Sequence, residues 1–421
     1  MPIQEYLHKR HCMIVFAEYP LAETRVQREA EALIRNGYDV DIICLRKPGE
    51  KAADIYNNVN IYRENYQFPG IFLKSDGVAQ RFLDYIRFFL SATLRLNKLN
   101  SQKHYATIQV HNLPDFLVFS TFFCKRKGIP VILDLHDLMP EFFVGRFGDN
   151  SSLIAKIIRW QEHISCKFAN HVITVSEHWR QALIDRGVPA DKCSVVMNVA
   201  DDNIFHPAED KQIHSPEDKG FRLIYHGSMH QRYGLDLAIQ AVALLREKIP
   251  GIHLSLVGQG EFLPDMRSMI DRLDLDKYVT IERKHLAEEL PAIILSCNLG
   301  VVPYRTDVFT DGLLPTKLME YAALGMPAVA ARTTAIQAYF SDTITEFFKP
   351  GDAADLARCI LMLYHNPLRL AELAHGSLKF REKYNWTRIG SEYVALVERI
   401  GRKQGLSGDY MVTQRPRDTT S

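Results

Sequence analysis

The stretch Thr310-Asp-Gly-Leu-Leu-Pro315-Thr-Lys317-Leu-Met-Glu320-Tyr-Ala-Ala-Leu-Gly325-Met-Pro327 decides how the rest of the chain is read. Pro315 suits a first helical turn. Leu318, Met319, Ala322 and Ala323 carry an apolar helical face, and Gly325 followed by Pro327 stops it. A buried-strand pattern, Leu299 to Pro303, stands in front, and another, Ala328 to Ala331, stands behind. A helix N-terminus therefore emerges between two strands of a parallel sheet. Its free N–H groups and positive dipole end favour a phosphate. Glu320, one turn further in, is a carboxylate that suits sugar hydroxyls rather than that phosphate.

With 421 residues the chain exceeds what one hydrophobic core supports, so two domains are expected. A 47% hydrophobic and 24% charged composition excludes disorder, and a formal net charge of +1 gives no global pull toward nucleic acid. Seven cysteines lie scattered with no Cys-x-x-Cys pair, as buried thiols of a reducing cytosol; neither a disulfide framework nor a zinc site is indicated. The first residues lack the apolar core of a signal peptide and no later run is long enough to span a bilayer, so the expected location is cytoplasmic, at most on the inner face of the membrane.

The chain opens as a β-α-β unit: a strand from Cys12 to Ala17, a helix from Thr24 to Asn36 closed by Gly37, and a strand from Asp39 to Leu45. Arg25 and Arg28 on that helix are read as solvated. Between Val78 and Leu99 the polar positions Arg81, Asp84, Ser91, Arg95 and Lys98, with Arg87 nearby, recur at helical spacing beside a wide apolar face. The pattern fits a helix packed on its own sheet or a basic amphipathic helix on a membrane surface, and packing is preferred. Strands Thr107 to Val110 and Val131 to Leu135 then run into His111 and His136, two imidazoles at the strand ends where open parallel sheets bind ligands. Asp137 and Glu141 are placed to orient His136 or meet substrate hydroxyls. No His-x-x-x-His pair supports a metal. Ser176 reads as an N-cap.

A polar run, Ala208 to Gly220, marks the boundary between residues 1–200 and 201–385. The second half repeats the pattern: a strand from Phe221 to Tyr225, a loop from His226 to Gly234, a helix, a strand from Ile252 to Val257 and a turn Gly258-Gln-Gly260. Gly227, Gly258 and Gly260 let backbone approach a nucleotide closely. Arg232 and Lys317 are the cations expected beside a diphosphate. The tail, 403–421, is polar with little periodicity and is expected to be disordered.

The linked set His-Asn-Leu-Pro-Asp115, Asp134-Leu-His-Asp-Leu-Met-Pro-Glu141, His171-Val-Ile-Thr-Val-Ser176, Tyr225-His-Gly-Ser228, Leu256-Val-Gly-Gln-Gly260 and Pro315-Thr-Lys-Leu-Met-Glu-Tyr-Ala-Ala-Leu-Gly-Met-Pro327 resembles glycosyltransferase family four, from Cys12 to about Arg399. The resemblance implies an α/β, GT-B architecture of two Rossmann-like doubly wound domains facing a central cleft. A helix at about 386–402 would cross back onto the first domain. It implies a UDP- or GDP-linked sugar donor on the second domain and a glycan or lipid-linked acceptor on the first. It further implies retention of anomeric configuration, with neither a metal nor a separate cofactor.

By the same resemblance Glu320 matches the second glutamate of a paired motif and holds the donor ribose. His136 matches a histidine that approaches the donor sugar. Gly312 stands where the first glutamate is expected, so sugar recognition is assigned to Asp311 or to backbone groups of Gly312, Leu313 and Leu314. Ser228 and Tyr233 stand where arginine and lysine are usual, and Arg232 is the substitute. His111, Asp137 and Glu141 fall on the acceptor side. The expected activity is retaining transfer of a hexose-type unit in bacterial surface-polysaccharide synthesis. A nucleotide-sugar epimerase of the same fold and a non-catalytic partner subunit are the alternatives. A nicotinamide dehydrogenase is disfavoured because Gly258-Gln-Gly260 lacks the full dinucleotide fingerprint.

Overall fold

Strand order explains where this chain can bind anything. The computed structural model describes residues 9–20, 24–65, 78–148, 151–207 and 220–412. They divide into two compact units. The first holds the residues up to Phe143, Phe147–Met197 and everything from Ile389 on; the second holds Asn198–Arg388 with Val144–Arg146. The polar run on which the domain boundary was read lies, over 208–219, outside the described residues.

The first unit carries β1 (Arg10–Ile14), β2 (Asp39–Leu45), β3 (Ala53–Tyr56), β4 (Val59–Glu64), β5 (Thr107–His111), β6 (Val131–Leu135), β7 (His171–Thr174) and β8 (Cys193–Val195). They form one sheet in the order β3-β4-β2-β1-β5-β6-β7-β8, parallel except for the β3–β4 pair. β5, β6 and β7 are buried along their whole length, as strands covered on both faces must be. β4 alternates buried and half-buried positions and β3 is exposed throughout, which marks the sheet edge. The β3–β4 hairpin was not anticipated. Its turn is Asn57-Asn58, both with positive φ (48° and 64°), a geometry that asparagine tolerates and that matches strand twist.

Helices fall where side-chain caps place them: the Ser152 side chain accepts from Ala155 N and the Ser176 side chain from Trp179 N, each at 3.2 Å. The helix Val78–Lys103 packs on its own sheet through Phe88, Ala92 and Leu96, which are fully buried. The last helix spans Trp386–Val412, so residues 403–412, expected to be disordered, are helical. Extending an existing helix adds one hydrogen bond per residue fixed, with no new nucleation cost. Residues 413–421 lie outside the described residues. Tyr393 on this helix donates to Gln109 Oε1 at 2.7 Å, tying it to β5.

The second unit is a six-stranded parallel sheet of β9 (Arg222–Ser228), β10 (His253–Gln259), β11 (Val279–Glu282), β12 (Leu299–Val302), β13 (Ala328–Ala331) and β14 (Glu346–Phe348). The order β11-β10-β9-β12-β13-β14 is 3-2-1-4-5-6, the doubly wound arrangement that reverses between its first and fourth strands. The loop expected from His226 begins later, because β9 continues through Ser228. Gly227 faces Gly258 and Ser228 faces Gln259 in continued parallel pairing. Two glycines at the crossing permit it: a Cβ on Gly258 (φ +152°) would lie 1.9 Å from the Gly227 carbonyl oxygen.

Candidate functional site

At the point where the second sheet reverses, β9 and β12 part, and the helix Thr316–Ala323 begins beside their carboxyl ends. Its N-cap is Pro315, which supplies no side-chain hydrogen bond. The Leu318 amide donates back to the Pro315 carbonyl at 3.1 Å, which leaves the amides of Thr316 and Lys317 to a ligand or water. Lys317 and Glu320, three residues apart, share one face of this helix.

Lys317 is buried, and its Nζ donates to the Tyr304 hydroxyl at 2.9 Å. The ammonium lies 4.8, 5.5 and 5.1 Å from the ring centroids of Tyr225, Tyr233 and Tyr304. Tyr233 and Tyr304 stack at 4.8 Å, so the box is rigid. Burial lowers the Lys317 pKa to about 8, with the Glu320 carboxylate acting in the opposite direction. Gly227 (φ +115°) makes room for this side chain, since a Cβ there would sit 3.3 Å from Lys317 Cε.

Glu320 Oε2 lies 3.3 Å from His226 Nε2, a contact without the alignment of a full hydrogen bond. Burial, then the charge of Lys317, pushes the His226 pKa down to about 3, so the ring is neutral. The Glu320 carboxylate is partly exposed while its neighbours are covered, and hydroxyl groups can reach it. Tyr321 donates to the Ile224 carbonyl at 3.1 Å and locks the helix to β9.

The other donor-side positions have different occupations. Asp311 Oδ1 accepts from Thr334 N at 3.0 Å and the Asp311 carbonyl from Ala335 N at 2.9 Å, so Asp311 takes up the first two amides of the helix Thr334–Tyr339, whose N-cap is Thr333. The amides of Gly312 and Leu313 donate to the Phe309 and Thr310 carbonyls at 3.2 and 3.3 Å, and Leu314 is buried beside them. Those groups are engaged in holding the loop. Gly260 follows β10 against the Met229 carbonyl, so Gly258 and Gly260 serve close backbone packing. Arg232 places its guanidinium carbon 5.4 Å from the Phe309 ring centroid, one residue before Tyr233 of the lysine box.

In the first unit, His111 and His136 meet: His111 Nδ1 is 3.0 Å from His136 Nε2, and the two lie 3.2 and 3.6 Å from the same Asp134 oxygen. The three ligand atoms lie within the span of a divalent cation's ligand set. Asp134 is already charge-compensated, however: Arg25 donates to it at 3.1 and 3.0 Å, and Gln109 Nε2 donates at 3.1 Å. Arg25 also lies 3.1 Å from Glu29, whose pKa burial raises to about 8, while the Arg25 guanidinium and the two imidazoles hold Asp134 well below the usual carboxylate range despite its burial. Burial lowers His111 to about 4.

Arg25 and Arg28 are therefore buried, not solvated as read from the sequence. The network around Arg25 is the reason: a helix facing a sheet that carries a buried aspartate must bring it a cation. Glu141 pairs with Arg186, which also holds Glu162 at 2.8 Å, and the Asp137 carbonyl accepts from Asn112 Nδ2 at 2.6 Å. His111 is fully buried and braces His136 from behind rather than facing solvent. Asp134, Gln109, His226 and Tyr304 escaped sequence reading. Asp134 carried a signal, being a charged residue in the middle of the otherwise apolar strand Val-Ile-Leu-Asp-Leu.

Comparison with known proteins follows the same lines. The family model for Glycosyltransferase Family 4 matches residues 22–203, and that for Glycosyl transferases group 1 matches residues 220–366. The amylovoran biosynthesis glycosyltransferase AmsK of Erwinia amylovora is 25% identical over 226 residues, 52% of this chain and 54% of that protein. A D-inositol 3-phosphate glycosyltransferase of Arthrobacter sp. is 28% identical over 194 residues, 44% of each. The chain thus spans about half the length of the curated relatives it matches. Among solved structures, sucrose-phosphate synthase from Thermosynechococcus elongatus superposes with a TM-score of 0.75 at 18% identity, covering 93% of this chain and 99% of that one. Anabaena HepE in complex with UDP-glucose gives 0.69 at 16%, covering 93% and 100%. At these identities the likeness shows the fold, two Rossmann-like domains of the GT-B class.

Proposed function

The chain belongs to glycosyltransferase family 4, and from that membership we propose that it transfers a sugar from a nucleotide-sugar donor to an acceptor hydroxyl in polysaccharide biosynthesis. The observation that carries this reading is the helix Thr316–Ala323, where an uncapped N-terminus, the boxed Lys317 and the partly exposed Glu320 lie within one turn. The diphosphate sits against the helix start and Lys317, and the ribose hydroxyls donate to Glu320. In the transfer the bond from sugar C1 to the diphosphate oxygen breaks and a bond from C1 to the acceptor oxygen forms. The acceptor proton passes to the departing phosphate. Lys317 stabilises the charge that grows there, and Arg232 is assigned the same task.

Retention of configuration, a UDP- or GDP-linked hexose donor and a glycan or lipid-linked acceptor are the finer assignments, resting on the family resemblance. So does the role of His136 toward the donor sugar. A thermal-shift panel of UDP-, GDP- and ADP-sugars identifies the donor, and turnover of that donor then tests the site. If Glu320→Ala and Lys317→Ala leave transfer unchanged, the assignment is wrong. One observation favours a second reading, a non-catalytic partner subunit: Gly312 replaces the first motif glutamate, and its neighbour Asp311 is committed to the first amides of a helix. That reading predicts no turnover of any donor by the wild type.

A further inference from the structure

The first unit exposes apolar side chains where its own fold gives no reason to. More than half of the exposed large hydrophobic residues among the described residues lie on three segments of this unit: the helices Val78–Lys103, Phe122–Arg126 and Leu153–Phe168. All three belong to crossovers that lead rightward from β4 through β5 and β6 to β7, and right-handed connections place such crossovers on one face of the sheet. The short 3-10 segment Asp115–Thr121 sits between the two long helices, with Phe116 against Phe89 and Phe119 against Phe168.

The helix Leu153–Phe168 is the clearest case. Leu153, Ile154, Ile157 and Trp160 are exposed, Leu153 by 73% and Trp160 by 62%, at a spacing that makes one outward stripe. Its charged positions beside that stripe are Lys156, Arg159 and Lys167, all basic. The single acid, Glu162, is buried against Arg186. The helix Val78–Lys103 is similar, with Phe82, Leu90 and Leu94 exposed and Arg81 and Lys98 beside them; its single acid, Asp84, accepts from Gln80 Nε2 at 2.9 Å. Its Arg95, which the sequence placed among the lipid-facing cations, instead pairs with Glu64 at 2.5 Å. In a chain of formal net charge +1, one face carrying almost only basic charge is a concentration, not an average.

We propose that this face, centred on the helix Leu153–Phe168, docks the protein onto an anionic bilayer surface. Leu153, Ile154, Ile157 and Trp160 enter the headgroup and upper acyl region, and the flanking lysines and arginines meet lipid phosphates. The charge decides between occupants: a second copy of the same face would set basic residues against basic residues, while an anionic surface neutralises them. Trp160 fits the boundary, its ring being apolar in body and polar at the indole N–H. The proposal stands apart from the donor site, because its test reads binding and not transfer.

The test is sedimentation of the full chain with vesicles of phosphatidylcholine, with and without phosphatidylglycerol. The wild type is expected to pellet with the phosphatidylglycerol vesicles, less so as salt is raised. The double variant Leu153→Ser with Trp160→Ser is expected to bind roughly tenfold or more weakly, with an unchanged melting temperature because both positions are exposed. Lys156→Ser with Lys167→Ser is expected to flatten the salt dependence. A wild type that stays in the supernatant, or that binds as before in both variants, overturns the proposal. So does light scattering that shows a dimer dissociated by Leu153→Ser with Trp160→Ser, since the face would then cover a second copy.

Discussion

Arg25 grips Asp134 through two hydrogen bonds of 3.1 and 3.0 Å inside the first unit, where both side chains are shut off from solvent. The pair sets the charge of everything beside it, because His111 and His136 approach the same Asp134 oxygen and Glu29 shares the same guanidinium. Arg25→Met keeps most of the volume but leaves the Asp134 carboxylate buried beside the Glu29 carboxyl without its cation. It should lower stability by about 3–5 kcal/mol, read as a fall in the urea midpoint. Asp134→Asn should be milder in stability and should still displace His136, visible as a change in its imidazole NMR signals.

Lys317 gives the site a pH signature. Its pKa of about 8 in the free protein arises from burial, and a bound diphosphate favours the ammonium. Below pH 8 the lysine is already charged, so affinity for the nucleoside diphosphate should be flat. Above it, binding must take up a proton, and affinity should fall by up to about tenfold per pH unit. Calorimetry in buffers of different ionisation enthalpy should show that uptake near pH 9. Lys317→Arg should abolish the dependence.

Glu320→Gln should weaken nucleoside diphosphate binding by about 1.5–3 kcal/mol, through loss of charge-assisted bonds to ribose hydroxyls. The ligand-free protein should melt only slightly lower, because the carboxylate is partly exposed and His226 is neutral, while the buried Lys317 loses a supporting charge. A nucleotide affinity equal to wild type would remove the ribose role.

Gly258→Ala should destabilise the second unit by about 3 kcal/mol or more, since the new methyl group would meet the Gly227 carbonyl at 1.9 Å in a backbone conformation unfavourable to alanine. Thermal unfolding without ligand is the measurement. A protein that melts normally yet binds no nucleotide would return Gly258 to the ligand-contacting role read from the sequence.

The helix Thr316–Ala323 was legible to within a residue, because proline before it, glycine after it and an apolar stripe between them are local instructions. The same holds for β13, an unbroken apolar run, for β6, an apolar run interrupted by Asp134 alone, and for the Ser176 cap. The Asn57-Asn58 hairpin was equally local and went unread, because its two strands lie at an edge and carry no buried run. Tail residues 403–412 misled because polar composition reports poor packing, while an existing helix needs little to continue.

What the sequence by itself determined is most of the elements, the repeated strand and helix pattern of each half, and the family: these rest on side-chain periodicity, turn chemistry and motif order along the chain. Only the tertiary structure decided what each polar residue does. Arg25 and Asp134 are 109 residues apart in sequence, and Lys317 is boxed by Tyr225 from within β9 and Tyr304 from just past β12. Burial and charge compensation depend on which strands become neighbours, and the 3-2-1-4-5-6 order that makes β9 and β12 part beside Lys317 is set by packing across the whole sheet.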